Sequence, residues 1–252
     1  MRQGRLGEPA ETDSGTVPGM PKGMRTGRLA GRTEWLLRCG VWAGPVFAAV
    51  FLAEGAVRDG YRPLRHPVSS LALGPRGWIQ AANFAVAGAA CLAGATGLRL
   101  AGDCPGGSRR TGPAMIAAAG AGLICSAAFR TDPIGGYPPG APDPGAGSSR
   151  AGTAHNLAAI PVFFGLPAAA ACYGWRSWRA GQPLGFTVGC AATAVAMPAT
   201  MALAAAGFAQ PSGLGRFGGL FQRASIITGF AWLTAVSARA LQQALPGTDG
   251  TS

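Results

Sequence analysis

Long apolar stretches alternate along the chain with short polar ones, and their lengths predict helices that cross a membrane. Six runs reach or approach the roughly 20 residues that an α-helix needs to span the hydrocarbon of a bilayer. They cover about residues 35–55, 78–98, 113–129, 152–174, 184–206 and 219–238. Glycine and alanine are abundant in these runs, and small residues let helices pack closely in lipid. The pattern predicts an all-α fold, a bundle of six transmembrane helices within residues 34–240.

The two ends of the chain are polar and predict tails outside the bundle. Residues 1–33 are rich in glycine and arginine and lack helical or strand periodicity, so we predict a disordered, basic N-terminal tail. Residues 241–252 predict a short C-terminal tail. The polar segment before the first run is long, and the run itself is long enough to span a membrane, which together argue against a cleaved signal peptide. Met20 and Met24 are alternative positions at which translation could start.

The low content of charged residues supports a membrane protein and argues against a soluble globular one. Charged residues make up 12% of the 252 residues and apolar residues 48%, whereas soluble domains carry about 25% charged residues. The net charge of +11 could indicate nucleic-acid binding, but the arginines lie at the ends of the apolar runs and in the N-terminal tail. Anionic lipid head groups attract positive charge there. The predicted partner is therefore the lipid bilayer and not nucleic acid.

Orientation follows from the arginines that flank the runs, because cytoplasmic loops carry an excess of Lys and Arg. With the N-terminus inside, the inner side holds Arg25, Arg28, Arg32, Arg38, Arg99, Arg109, Arg110, Arg176, Arg179 and Arg239. The outer side then holds Arg58, Arg62, Arg65, Arg76, Arg130, Arg150, Arg216 and Arg223. The bias predicts a multi-pass protein of the cell membrane with both termini in the cytoplasm. An aromatic belt at the ends of the runs is predicted from Trp35, Trp78, Trp175 and Trp178.

The connection between the first two runs, "RPLRHPVSSLALGPRGW", contains a segment that is too apolar for a solvated turn and too short to span. Such a segment fits a helix at the membrane interface or a re-entrant piece packed between spans. Pro67 is a suitable start and Gly74-Pro75 a suitable end for it. We therefore predict an interfacial segment over residues 66–74.

Polar residues capable of binding or catalysis gather on the predicted outer side of the bundle. The candidate ligand-binding residues are His66, Ser69, Ser70, Arg130, Asp132, Tyr137, His155, Asn156 and Arg223. Arginines could hold phosphate or carboxylate, and histidines could hydrogen-bond a ligand. The leading interpretation is a polar pocket built from His66, Ser69, Asp132, His155 and Arg223 that binds a lipid head group or a small polar ligand.

Several alternatives stay open for these residues. A metal-assisted hydrolase acting on lipid would use His66, Asp132 and His155 as ligands of an ion that activates water. Bis-histidine haem and a serine nucleophile at Ser69 or Ser70 are further options, although no GxSxG motif supports the latter. A permease or channel would need a polar path through the spans, and an assembly protein would need no ligand. The plainest alternative is that Arg130 pairs with Asp132 and that each histidine bonds backbone carbonyls. The pattern assigns no cofactor, and the six cysteines form no CxxC pair.

Three motifs in order, "HPVSSLALGPRGWIQAANF", "FRTDPIGGYPPG" and "GTAHNLAAIPVFFGLP", resemble a family of bacterial membrane proteins, domain of unknown function 998 (DUF998). The resemblance extends over about residues 35–240 and implies a six-span membrane protein without an established activity. The segment "PVSSLALG", together with a histidine that opens the fourth run, is also similar to the eukaryotic DRAM/Sfk-like membrane proteins. Some of those proteins are linked to lipid handling, so this likeness favours a lipid ligand.

Overall fold

The computed structural model describes residues 22–102, 110–141, 147–209 and 213–244. Within these ranges the chain forms the α-helices α1 (Lys22–Val57), α2 (Gly77–Ala101), α3 (Thr111–Ala128), α4 (Arg150–Ile160), α5 (Leu166–Arg179), α6 (Leu184–Phe208) and α7 (Gly218–Ala244). A π-helical turn, Pro161–Gly165, joins α4 to α5, so that these two helices form one span. Short 3-10 helices cover Val68–Ala72 and Gly213–Arg216.

Six helical segments of the described chain are long and apolar enough to cross a membrane, which confirms the predicted fold class. They are Ala30–Val57, Gly77–Ala101, Thr111–Ala128, Arg150–Arg179, Leu184–Phe208 and Gly218–Ala244. Most extend a few residues beyond the predicted runs, because lengthening an existing helix costs far less than nucleating one. The four tryptophans predicted to form a belt are all exposed, between 58% and 69%. The protein is therefore a multi-pass membrane protein.

The six spans form a closed ring in chain order. Each span packs against the next along the chain, and α7 returns to pack against α1. Phe47 of α1 lies near the middle of this arrangement, with its ring centroid 5.8 Å from that of Phe84 in α2 and 5.0 Å from that of Phe230 in α7. These contacts place an apolar core between the first, second and last spans.

Glycines bring neighbouring spans to backbone contact, as the small-residue composition predicted. A Cβ on Gly88 would lie 2.5 Å from the carbonyl oxygen of Gly120, and one on Gly120 would lie 2.7 Å from that of Gly88. Gly40 and Gly94 make a similar contact between α1 and α2, where a Cβ on Gly94 would lie 2.8 Å from the Cα of Gly40. Any larger residue at these positions would push two helices apart.

The fourth span changes its neighbours halfway along. Its first half, α4, packs on α3, whereas its second half, α5, packs on α3, α6 and α7. Pro161 begins the π-helical turn that separates the halves, and proline interrupts the helical hydrogen-bond ladder because it lacks an N–H group. The first half therefore leaves space between itself and the last two spans.

The connection between α1 and α2 contains the 3-10 helix Val68–Ala72, where a short segment was predicted. Pro67 precedes its first residue, as predicted, and the helix ends at Ala72, slightly before Gly74. Val68 and Leu71 are buried, and the segment packs against α1, α2 and α7. It is therefore held against the bundle by side-chain burial.

The predicted tails differ from the structure at their boundaries. Helix α1 begins at Lys22 and α7 ends at Ala244, so residues 22–33 and 241–244 are helical. Segments without proline can continue a helix that burial has already nucleated. Residues 1–21 and 245–252, which include Met20, lie outside the described residues.

Candidate functional site: a cavity at one end of the bundle

A cavity of about 610 Å³ lies between the spans at the end where α2, α4 and α7 begin. We call this the loop-rich end. The cavity is bounded by α1, α2, α3, the first half of the fourth span, α6 and α7. Its depth is apolar, formed by Phe47, Phe84, Leu123, Ile160, Val162, Phe163, Phe164, Met201, Phe208 and Ile226. The volume is within the range of roughly 300–1,000 Å³ that small-molecule sites occupy.

Polar side chains line the cavity where the connections between α1 and α2 and between α3 and α4 meet the spans. They are Ser69, Ser126, Thr131, Asp132, Ser148, His155, Asn156 and Gln222. Four of the predicted site residues belong to this set, namely Ser69, Asp132, His155 and Asn156. The structure therefore brings part of the predicted site together around one space.

Asp132 is held at the N-terminus of α4. Its Oδ2 accepts a hydrogen bond of 2.9 Å from the backbone N–H of Ser149, the N-cap residue of that helix. The Ser149 hydroxyl in turn accepts from the N–H of Gly152 at 2.9 Å. A helix N-terminus favours a carboxylate because its first N–H groups have no partner within the helix. Asp132 thus has a helix-capping role, and within the described residues it forms no ion pair with the exposed Arg130.

His155 lies one helical turn further along α4 and joins α4 to α3. Its Nδ1 is 3.2 Å from the carbonyl oxygen of Ser126 and 2.9 Å from that of Phe129, both at the end of α3. Carbonyl oxygens only accept, so Nδ1 carries the proton and donates to them. In the neutral ring Nε2 then keeps a lone pair. His155 is 4% exposed and lines the cavity, so Nε2 is an acceptor available to a ligand.

Three other predicted residues form a separate buried group beside the cavity. We call Tyr61, His66, Tyr137 and Arg223 the Arg223 cluster. The ring of His66 lies 5.5 Å from that of Tyr61 and 5.4 Å from that of Tyr137, centroid to centroid. Arg223, 5% exposed, donates to the carbonyl oxygens of Pro63, His66 and Gly219 and to the hydroxyl of Tyr61. The cluster is absent from the described lining of the cavity.

The Arg223 cluster fastens the first connection to the start of α7. The N–H groups of Gly219 and Leu220 donate to the carbonyl oxygens of Arg65 and Leu64, which satisfies two of the unpaired donors at that helix N-terminus. The amide oxygen of Gln222 accepts from the N–H of Val68 at 2.8 Å. Nη1 and Nη2 of Arg223 donate to backbone oxygens and to the Tyr61 hydroxyl, and its buried Nε has no partner among the described residues. We infer that Arg223 stabilises the fold rather than holding the phosphate that the sequence suggested.

His66 is held in one neutral tautomer. Its Nδ1 accepts from the N–H of Arg62 at 2.9 Å, so the proton resides on Nε2, which donates to the carbonyl oxygen of Gly135 at 3.2 Å. Burial lowers the pKa of His66 below its ordinary value, the bond to Gly135 opposes this, and the positive charges of Arg65, Arg62 and Arg223 lower the pKa further. Both ring nitrogens are therefore engaged, Nδ1 within the connection between α1 and α2 and Nε2 with the connection between α3 and α4.

A falling pH is expected to destabilise the loop-rich end through His66. Because the pKa in the folded state is below the ordinary value of 6.5, the neutral ring stabilises the fold fully above that value, and the contribution is lost as pH falls through the folded-state pKa. We expect the melting temperature in detergent to fall between about pH 7.5 and about pH 5. His66→Asn keeps an acceptor for the Arg62 N–H but does not titrate, so it should reduce the fall. An equal fall in both proteins would contradict this role.

The remaining predicted residues are not among the described lining residues of the cavity, and the metal site considered as an alternative does not form among the described residues. Ser70 is fully buried, and its hydroxyl has no partner among the described residues. Those residues also include no group of three or more His, Cys, Asp or Glu side chains arranged to hold a metal ion. His66 has no free nitrogen for such an ion, because Nδ1 accepts from Arg62 and Nε2 bears the proton. His66, Asp132 and His155 therefore do not form the three-ligand site considered from the sequence.

Two residues were missing from the predicted site, although the structure places one in the cavity wall and the other in the Arg223 cluster. Gln222 lies just after the start of the last apolar run, and this polar residue within a span was a usable signal. Tyr61 precedes "RPLRHP", and nothing in the linear pattern indicates that its hydroxyl receives a hydrogen bond from a residue 162 positions later. Only the packing of the first connection on α7 reveals that contact.

Comparison with known proteins gives one match. The model of the family described as "Protein of unknown function (DUF998)" matches residues 41–239. No curated protein and no solved structure matches the chain. The matched segment contains nearly all of the six spans, including the residues that line the cavity and those of the Arg223 cluster. The chain therefore belongs to the DUF998 family, as its three motifs predicted.

Proposed function

We propose that the protein binds one lipid molecule in the cavity, with the lipid head at the loop-rich end and its apolar chain between the spans. The observation that carries the proposal is that the cavity wall is apolar in its depth and polar at one end. Aromatic and aliphatic side chains line its depth, and polar side chains such as Asp132, His155 and Gln222 line one end. An amphiphile matches that division because its chain leaves water while its head keeps hydrogen bonds.

The position of the cavity supports a ligand that arrives from the bilayer. Phe164 lines the cavity and is 64% exposed, so the cavity is open at this side chain. It belongs to the π-helical turn that follows α4, the half of the fourth span that packs on α3. A lipid chain could therefore enter sideways without first crossing water.

We also propose that the loop-rich end faces away from the cytoplasm, with both termini inside. The arginines near the span ends favour the end that carries the termini, ten against eight, and one of the eight, Arg223, is buried. A fluorescent protein fused to the C-terminus should fluoresce if that terminus is cytoplasmic, and a dark, exported fusion would reverse the orientation.

Filling the cavity is expected to expel the lipid. Ala159 lies on α4 and lines the cavity, so Ala159→Phe would place a phenyl ring where the chain of the lipid should lie. We expect the variant to retain about tenfold less co-purified lipid, equivalent to ~1.4 kcal/mol, as measured by quantitative lipid mass spectrometry.

The matched control is Ala199→Phe, which adds the same ring at an exposed position of α6 that is not among the described lining residues. It should retain lipid like the unmodified protein. Equal lipid content in all three proteins, or none in any, would contradict the proposal.

A further inference from the structure

The polar end of the cavity carries negative charge and no neighbouring cation in its wall. Asp132 lines it, and the described lining residues include no Arg or Lys. The connections between α3 and α4 and between α6 and α7 also contain residues 142–146 and 210–212, which lie outside the described residues, and neither stretch contains Arg or Lys in sequence. A phosphate or carboxylate head placed beside Asp132, which is partly exposed, would therefore meet a like charge with no lining cation to offset it.

The exposed arginines of the loop-rich end do not add positive charge to the cavity wall. Arg62, Arg130, Arg150 and Arg216 are exposed, and none of them is among the described lining residues. Charges in contact with water are screened over about 10 Å by salt. They can attract anionic lipids to the surface of the protein, but they do not supply a counter-ion inside the cavity.

The lining hydroxyls and the Asn156 amide can both donate and accept hydrogen bonds, whereas three other lining side chains have one kind of group left over. His155 offers the lone pair of Nε2, because Nδ1–H is used on α3. Asp132 offers carboxylate oxygen, since within the described residues only Oδ2 receives a bond, from Ser149. Gln222 offers its amide N–H groups, because its oxygen already accepts from Val68. A hydroxyl group both donates one hydrogen bond and accepts others, so it complements this set.

From this arrangement we propose that the ligand is a lipid alcohol, that is, a lipid whose head bears a hydroxyl group and no negative charge. The inference rests on the proposed function, since it names the class of lipid for the same cavity. The hydroxyl donates to an acceptor, His155 or Asp132, and accepts from the amide of Gln222. An alkylammonium head could donate but could not accept from Gln222. This reverses the expectation from sequence that arginines hold a phosphate head.

The test uses four probes with the same chain and different heads: hexadecanol, hexadecylamine, palmitate and hexadecyl phosphate. Each is titrated against the full-length protein in nanodiscs that contain a fluorescent diacylglycerol, and displacement of that reporter gives the relative affinity. We expect hexadecanol to bind about tenfold more tightly than palmitate or hexadecyl phosphate. In Asp132→Asn, which keeps an acceptor for Ser149 but removes the charge, that discrimination should fall toward unity. If Asp132 only stabilises the N-terminus of α4, the substitution would leave the preference for hexadecanol over palmitate and hexadecyl phosphate unchanged.

The outcomes separate this inference from the proposed function. If palmitate or hexadecyl phosphate binds best, or if Asp132→Asn leaves the preference as it was, the lipid-alcohol assignment is overturned while lipid binding stands. The assignment is also overturned if hexadecylamine binds better than hexadecanol. If none of the probes displaces the reporter, or if Ala159→Phe binds all of them as well as the unmodified protein does, lipid binding in the cavity itself fails.

Discussion

Replacing Arg223 with methionine is expected to lower the melting temperature more than any other single side-chain truncation at the loop-rich end. The change removes the donors that hold the carbonyl oxygens of Pro63 and His66 and the hydroxyl of Tyr61. It also removes the cation lying 5.5 Å from the centroid of the Tyr61 ring. Leaving buried acceptors without donors costs about 3 kcal/mol in total, or on the order of 8 °C in a chain of this size. Thermal unfolding in detergent measures the loss.

The size of this effect depends on two opposing contributions. None of the three ion pairs among the described residues involves Arg223, so its charge is buried without a carboxylate partner. Burying a charge is costly, and replacing one with an apolar side chain sometimes stabilises a protein. We expect the hydrogen bonds to outweigh this gain, since they fasten the whole first connection to α7. Arg216→Met, at an exposed position just before α7, is the control and should change the melting temperature little. A melting temperature of Arg223→Met at or above that of the control would show that desolvation dominates.

Replacing Gly88 with valine is expected to separate α2 from α3 and to destabilise the bundle by about 3 kcal/mol. A Cβ at this position would lie 2.5 Å from the carbonyl oxygen of Gly120 and 2.7 Å from the side chain of Ile124. Backbone atoms cannot move aside as a flexible side chain can, so the helices themselves must shift. Gel filtration in detergent should show less monodisperse protein, and thermal unfolding should occur at lower temperature.

Gly189→Val provides the matched control for the Gly88 substitution. Gly189 lies on α6, is exposed, and has open space where a Cβ would be. Both variants replace a helical glycine with valine, so their helix propensity changes equally. The difference between their melting temperatures therefore measures the packing contact alone. Equal melting temperatures would mean that α2 and α3 can separate without loss, and the close contact would then have no energetic role.

Much of the architecture follows from the order of apolar and polar residues. The boundaries of the fifth run, 184–206, nearly coincide with α6, because "GQP" before it ends one helix and supplies a proline suited to starting the next. The short segment after Pro67 was also predictable, since its apolar residues are too few to span and too many for a solvated turn. Helix bounds are less predictable: α1 begins at Lys22, well before its apolar run, because polar residues can continue a helix once burial has formed it.

The candidate site could be predicted only as a group of residues at one end of the bundle. The sequence places nine candidate side chains there, but it does not decide among the roles open to them. In the structure Asp132 and His155 line the cavity, while His66 and Arg223 lie outside its lining and bond mainly to backbone groups. Whether a histidine lines the cavity or only links parts of the backbone depends on which backbone groups lie within reach of its ring. That distance is set by helices far apart in sequence, so no local pattern encodes it.

The sequence by itself determined that this protein crosses a membrane six times, because apolar length and the scarcity of charge leave no other way to remove these segments from water. It also determined which end of the bundle holds the polar residues, because the topology alternates with each span. Only the tertiary structure decided that the interruption at Pro161 opens a cavity beside α6 and α7, and that no described arginine lines it. Both depend on the packing of spans around a ring, where a small change in the direction of one helix decides whether a side chain is buried against its neighbours or faces an open space.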